Sequence, residues 1–419
     1  MRDKRLFAVK SIAGVLLILA ALSASAQSEK VLYMFQGGSD GGDPSGPLTF
    51  DTAGNIYGTT VRGGGGCTAY SGCGTVFKLA HTKTTWAETI LYTFTGGSDG
   101  FQPLTGVVFD KLGNLYGGTG SGGNSGCYAD AGCGSVFELT SSGGVWTEKT
   151  LYTFTGGLSD SGASESPLVF DAAGNIFSTA RFGGVVGSDG SCYWGSGAVF
   201  ELTQAGGSWT DHTLYSFTCG NDGGDPYNSR QAFYKGNLYG TTTGGGQSGA
   251  GVVFEIENLK TSPKEVVLYT FTGGSDGAYP YGAVVHDSVG NLYGTTYAGG
   301  AYGYGTVFKL TPSGSGWTET VLYSFTGGSD GAHPGSTDPV LDAAGNIYGT
   351  TYSGGLGSGV VWELVNSGGS YTYKTVYSFA GGTTDGAQPV GLVLRGGKLF
   401  GNTFSGGAYG LGIVYEVTP

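Results

Sequence analysis

The chain has 419 residues, a formal charge of −12, 86 glycines, 13% aromatic and only 12% charged residues. An acidic surface repels phosphate backbones and anionic headgroups, which makes nucleic acid and membrane surfaces poor partners. Low charge with abundant aromatics excludes a disordered acidic tail and fits short strands joined by tight glycine turns.

In chain order, the first expected element is a leader. Arg2, Lys4, Arg5 and Lys10 form a basic segment, Ile12 to Leu22 is an apolar run too short to span a bilayer comfortably, and Ala24-Ser25-Ala26 is a small-x-small cleavage site. Residues 1–26 therefore read as a signal peptide and residues 27–419 as one exported domain, secreted or held in the periplasm or at the cell surface. Removing four basic residues and Asp3 leaves 15 basic against 30 acidic, or −15. No second apolar stretch follows, so no membrane insertion is expected.

A strand-like phrase, hydrophobic-Tyr-x-Phe, then recurs. It starts at Leu32, Leu91, Leu151, Leu214, Leu268, Leu322 and Val376, in steps of 59, 60, 63, 54, 54 and 54 residues. Such a period marks a repeat architecture, and this one is seven-fold. Each unit reads as four strands; in the fifth they are Ala283 to Asp287, Asn291 to Thr296, Gly305 to Leu310 and Trp317 to Phe325. A D-x-x-G-N turn joins the first two, as in Asp51-Gly54-Asn55, Asp110-Gly113-Asn114 and Asp342-Gly345-Asn346. There Asp accepts from backbone N–H groups while Gly takes the positive φ. No segment carries capped helical periodicity.

The fold class expected is all-β, a seven-bladed β-propeller of four-stranded antiparallel blades. A β-solenoid needs shorter coils and parallel ladders. The two ends of the domain are complementary: VLYMF lacks the three strands that should precede it, and the last unit lacks a fourth. The N-terminal strand is therefore expected to pair with the C-terminal blade and close the ring, removing two exposed edges.

The three longer steps hold five of the six cysteines, and Cys219 follows just after the Leu214 phrase. An even count in an exported protein points to disulfides. Equal spacing argues for Cys67–Cys73 and Cys127–Cys133, leaving Cys192–Cys219. Zinc is disfavoured because no His lies near either spaced pair, and no metal site is expected.

The pattern LYxFxGGxDGxxP, LxxDxxGNLYGTTxxGG, GxVFxL resembles the Gly-rich extracellular tandem repeats called GloVer repeats, over Val31 to Pro419. That resemblance implies an exported, propeller-like protein of unestablished biochemical role. Lys235 and Arg395 depart from it where the hairpin Asp usually stands.

Two motif matches carry no chemistry. Gly96 to Gly100 fits the hydrolase elbow G-x-S-x-G, as do the segments at Gly37, Gly273 and Gly327. A nucleophile is needed once, before a helix and near a His, and these recur at blade-to-blade turns. Gly118-x-Gly120-x-x-Gly123 fits a dinucleotide fingerprint but opens no helix. The repeated Asp of GG-x-D-G (Asp40, Asp99, Asp160, Asp222, Asp276, Asp330, Asp385) has two readings, a turn-forming residue or a Ca²⁺ ligand. The turn is favoured because only Asp40/Asp43 and Asp222/Asp225 offer a second local carboxylate. No other cofactor is expected.

Loops entering the innermost strand and loops joining the second and third strands share one face of a propeller. The seven internal copies show what varies there. The residue before the entry-loop Pro changes completely: Asp43, Gln102, Ser166, Asp225, Tyr279, His333 and Gln388. A second varying set follows the NLYGT strand and includes Arg181, Tyr297 and Tyr352, with Tyr70, Tyr128, Tyr193, Trp194, Tyr302 and Tyr304 in the loops beyond. Aromatic faces interleaved with amides, carboxylates and Arg suit a neutral polar ligand such as a glycan; the alternative is that each Tyr only rigidifies a glycine-rich loop. The leading expectation is a non-catalytic, monomeric binding or scaffold protein for an extracellular glycan or cell-surface polymer. The rivals are a carbohydrate-active propeller enzyme, a glycosidase or lyase with Asp43 and Asp225 as its carboxylate pair, and a purely structural envelope protein.

Overall fold

The computed structural model describes residues 29–67, 71–123, 132–156, 161–162, 165–184, 195–227, 230–314, 316–335 and 338–419. The expected leader therefore lies outside the described residues, as do Asp160, Tyr70, Tyr128, Tyr193 and Trp194. The fold is a seven-bladed propeller of four-stranded antiparallel blades. In blade 5 the inner strand Val285–His286 pairs with Leu292–Thr296, which pairs with Thr306–Ser313 and then Gly316–Ser324. The inner strand of blade 6 is split into Ala332–Pro334 and Val340–Leu341. Among the described residues the helical content is one 3₁₀ turn, Gly38–Asp40, and no helix is long and apolar enough to cross a membrane.

The ring closes through the N-terminal strand. Lys30–Met34 is the outer strand of blade 7, against Ile413–Val417. Its register repeats the other blades: Val31 opposes Tyr415 and Tyr33 opposes Val414, with a bulge between, as Ile90 opposes Phe77 and Tyr92 opposes Val76 in blade 1.

The repeated phrase has a physical reason. Its Phe is buried and meets, edge to face, an aromatic ring on the third strand of the next blade. The pairs are Phe35–Phe77, Phe94–Phe137, Phe154–Phe200, Phe217–Phe254, Phe271–Phe308, Phe325–Trp362 and Phe379–Tyr415, with centroids 5.0–5.8 Å apart. Such pairs add about 0.5–1.5 kcal/mol each beyond area burial. In six blades the Gly of NLYGTT leaves room beneath these rings: a Cβ on Gly58 would stand 2.6 Å from Phe77 Cζ, while blade 3 has Ser178 there.

The Tyr of the phrase explains the Asp seven residues later. Asp99 accepts from Tyr92 Oη (3.0 Å), Thr95 N (2.7 Å), Thr95 Oγ1 (2.7 Å) and Gly97 N (3.1 Å). Asp276 and Asp330 repeat the Tyr and Thr bonds, and Tyr33 donates to Asp40. These carboxylates fasten turns, and among the described residues no three metal-ligating side chains cluster. The hairpin Asp works similarly, with Asp51 accepting from Asn55 N at 2.9 Å and from Tyr57 Oη at 3.1 Å.

Cys67 and Cys73 are disulfide-bonded. Cys133 and Cys219 are also bonded, while their expected partners Cys127 and Cys192 lie outside the described residues.

Candidate functional site

Six blades enter their innermost strand through a loop whose Pro packs on the previous blade. A Cβ on Gly412 would fall 2.6 Å from Pro44 Cδ, and one on Gly305 2.7 Å from Pro334 Cδ. The residue before the Pro donates its N–H to the previous blade: Asp43 to Leu411 O, Gln102 to Cys73 O, Asp225 to Ser196 O, Tyr279 to Ala250 O, His333 to Tyr304 O and Gln388 to Ser358 O, at 2.8–3.0 Å. That junction forces the same backbone on all six. Their φ values are 54°, 56°, 55°, 58°, 60° and 60°. This left-handed region costs a non-glycine residue roughly 1–2 kcal/mol. Ten non-glycine residues have positive φ among the described residues, and six of the ten are these.

The structure moves one candidate off this set. Ser166 stands five residues before the hairpin Asp171, where blade 1 has Gly46 before Asp51. Pro167 thus corresponds to Pro47 and not to Pro44. Ser166 is fully buried in the channel wall and accepts from Thr179 Oγ1 at 2.8 Å. The equivalent of Asp43 in blade 3 is Ala163, outside the described residues.

The mouth of the channel is a cavity of about 290 Å³. Its lumen is lined by the residue after the entry Pro, not the one before: Ser45, Leu104, Tyr227, Tyr281, Gly335 and Val390. Glu165 takes that position in blade 3, and Tyr297 and Tyr352 also line the lumen. The other candidates stand one step outward. Asp43 is buried beside Arg62 (2.9 Å). Gln102 and Gln388 accept from Ser121 (3.4 Å) and Ser405 (3.2 Å). His333 stacks on Tyr297 at 4.5 Å, with Nδ1 3.0 Å from the Tyr297 carbonyl. Tyr279 is 44% exposed.

Arg181 organises one side of the mouth. Its Nε donates to Asp225 at 2.8 Å and its Nη1 to Glu165 at 3.3 Å, and its guanidinium lies 4.4 Å over the Tyr227 ring. Burial opposes the charge, but Glu165 and Asp225 more than offset it and hold the guanidinium charged. Burial pushes the Glu165 carboxyl up to about 7 against the pull of Arg181. Burial, with Glu165 beside it, also raises the Tyr227 hydroxyl to about 12. From Tyr227 the rings continue edge to face to Tyr281 (5.6 Å) and Tyr297 (5.1 Å), on which His333 stacks, with Tyr304 edge-on to His333. This arc spans blades 4 to 6.

Glu165, Tyr227 and Tyr281 were not singled out in the sequence. Counting back from the hairpin Asp, rather than to the nearest Pro, would have found Glu165. Asp43 and Asp225, the carboxylate pair of the enzyme reading, are each held by a different arginine. At the opposite end of the channel a cavity of about 780 Å³ is lined by the inner hairpins, with Arg230 donating to Asp338 at 3.0 Å.

A family profile described as the Gloeobacter/Verrucomicrobia repeat matches residues 18–193, 129–336 and 259–419. No curated protein matches. Among solved structures, a polysaccharide lyase of family PL25, an ulvan lyase bound to -[GlcA(1-4)Rha3S]-, is similar with a TM-score of 0.53 at 11% identity, covering 93% of this chain and 96% of that one. A proposed 6-phosphogluconolactonase from Bacteroides uniformis gives 0.49 at 13% identity, covering 80% of this chain and 87% of that one. A Dyadobacter fermentans protein of unknown function gives 0.46 at 14% identity, covering 74% and 92%. At such identities the likeness to the lyase concerns the fold alone.

Proposed function

The chain belongs to the Gloeobacter/Verrucomicrobia repeat family, and from that premise we propose that it is an exported, non-catalytic propeller that binds a neutral saccharide at the channel mouth. One observation carries the reading. Six blades hold the residue before the entry Pro in a glycine conformation, yet none places glycine there, in a chain with 86 glycines. The backbone is common to all six and the side chains are not. The scaffold therefore sets the strain, while the retained Asp, Gln, Tyr and His side chains serve something else. Strain kept at a concave site is characteristic of function.

The chemistry of the mouth selects the ligand. Tyr227, Tyr281, Tyr297, Tyr352 and Phe404 offer ring faces, and the glutamines and carboxylates offer partners for hydroxyls. The two arginines at the mouth, Arg62 and Arg181, are each neutralised by carboxylates. An anionic chain would meet no uncompensated cation here, which favours a neutral glycan over a uronate. The raised carboxyl of Glu165 inside the cavity is what favours the enzyme rival, because a carboxyl protonated near neutrality can donate a proton.

The test is a pull-down of the mature protein on neutral and acidic polysaccharides, followed by a reducing-end assay. Retention on a neutral polymer without new ends is expected, and Tyr281→Ala should abolish it. New ends that vanish in Glu165→Gln would make the protein an enzyme. No retention on any polymer would leave the structural-envelope reading.

A further inference from the structure

We infer that the ligand is an extended chain, its end seated in the mouth and its following units lying outward over blades 5 to 7. This rests on the saccharide reading above. A cavity of about 290 Å³ is at the small end of ligand sites, enough for a chain end and not for a length of polymer. On the described loops, exposed rings gather beside it on blades 5 to 7. Among the described residues, six of the ten exposed large apolar side chains are Tyr279, Tyr302, Tyr304, Tyr352, Leu356 and Tyr409, 36–69% exposed.

All six lie on blades 5, 6 and 7 and on the mouth face. Tyr302 and Tyr304, Leu356, and Tyr409 come from the second-to-third-strand loops of successive blades, 297–305, 354–359 and 407–412. Those loops stay on the mouth face because their ends bond to the entry loops: Gly300 N donates to Gly274 O, Gly355 N to Gly328 O and Gly407 N to Asp385 O, at 2.8–2.9 Å. The crescent is continuous with the cavity, since Tyr352 belongs to both and Tyr304 meets His333, which stacks on the lumen residue Tyr297.

The occupant follows from what these loops contain. Residues 297–305, 354–359 and 407–412 include no charged side chain, only Tyr, Leu, Ser, Ala and Gly. A protein partner of opposite charge has nothing to pair with. Isolated rings carrying hydroxyls on flat glycine loops match the alternating apolar faces and hydroxyl edges of a neutral sugar chain. Blade 4 has only Gly, Gln, Ser and Ala at this place, residues 244–251, so among the described loops the track begins at blade 5.

The experiment is calorimetric titration of the mature protein with neutral glucan oligosaccharides, β-1,3- and β-1,4-linked, from disaccharide to hexasaccharide. Affinity should rise about tenfold with length. Tyr302→Ala with Tyr409→Ala should erase that rise and leave disaccharide binding unchanged, while the Phe counterparts should keep it, because the ring face does the stacking. Hexasaccharide binding unchanged in the double Ala variant would overturn the track and leave the mouth reading intact. Loss of disaccharide binding in the same variant, with an unchanged Tm, would overturn it also, placing those tyrosines at the primary site. No binding of any length by the wild-type protein would overturn both readings, and binding to neutral phosphatidylcholine vesicles instead would assign the crescent to a membrane.

Discussion

The fold should be most stable in mild acid, and the reason is a belt of carboxyl pairs around its rim. Blade 3 has Asp211 three residues before its LYxF phrase; five other blades have Glu at that place, namely Glu29, Glu88, Glu148, Glu265 and Glu319. Each faces a turn Asp at the junction between blades: Asp385, Asp40, Asp99, Asp222 and Asp276 respectively. Burial first, and the facing Asp second, push the carboxyls of Glu29 and Glu88 up to about 8 and those of Glu265 and Glu319 up to about 7. Hydrogen bonding by Tyr377 at Glu29 and Tyr33 at Glu88, and the charge of Lys264 at Glu265, oppose the rise without cancelling it. Glu148 is raised too, by burial, with Thr150 opposing. Blade 6 has Tyr373 at this position, stacked on Tyr323 at 4.4 Å, so that junction has no such pair.

The folded protein thus keeps protons that the unfolded chain releases near 4.5. Their contribution is complete below that pH and disappears as pH rises through 7 to 8. Unscreened, a shift of three units is worth about 4 kcal/mol. These carboxyls are only partly buried, so solvent screening leaves roughly 0.5–1 kcal/mol each. Four of them together supply about 2–4 kcal/mol, or on the order of 5 °C in Tm for a domain this large. Calorimetric scans at constant ionic strength should show Tm falling by about that much between pH 5 and pH 9. Glu88→Gln with Glu319→Gln should remove roughly half of the fall. A Tm that is flat to within a degree, or that rises over this range, would refute the belt. On the acid side Asp51, Asp276, Asp287, Asp330 and Asp342 are partly desolvated, yet hydrogen bonds hold them below the usual carboxylate range. Their contribution is lost as pH falls through their lowered values, which places the optimum near pH 4–5.

Tyr279 allows a test of the strained ring, because its φ is 58° and its side chain is largely solvated. Tyr279→Gly should be about 1 kcal/mol more stable than Tyr279→Ala in urea melts, the reverse of the usual order, and the two should bind saccharide equally poorly; an Ala variant as stable as Gly would remove the strain argument. Deleting Val31 to Phe35 removes Phe35 from its contact with Phe77 and leaves Ile413–Val417 as an edge; Phe35→Ala alone should cost about 3–5 kcal/mol, and a deletion melting within two degrees of the parent would contradict closure. Non-reducing peptide mapping should find Cys127–Cys133 and Cys192–Cys219 beside Cys67–Cys73, and a peptide joining Cys73 to Cys127 would disprove the local pattern. Reduction should lower stability by about 2–3 kcal/mol per bridge.

The architecture was legible because every blade repeats the same local solution. The Phe that enters the next blade, the Tyr–Asp pair that fastens the turn and the Asp–Asn hairpin each act within a few residues, or at a fixed step, so seven copies announce the ring and its closure. The mouth was less legible, because it is assembled across blades. Glu165 meets Asp225 only through Arg181, and Arg230 reaches Asp338 over 108 residues. Nothing local in the chain marks either pair. The side of the inner strand that faces the lumen depends on how each Pro seats on the preceding blade, so the residues expected at the mouth stand one position outside the lumen lining, and in blade 3 the nearest Pro is not the equivalent of Pro44. The strain at Asp43, Gln102, Asp225, Tyr279, His333 and Gln388 was equally hidden. A positive φ at a residue that is not glycine is imposed by the hydrogen bond and the proline contact between blades, and only the closed ring supplies both.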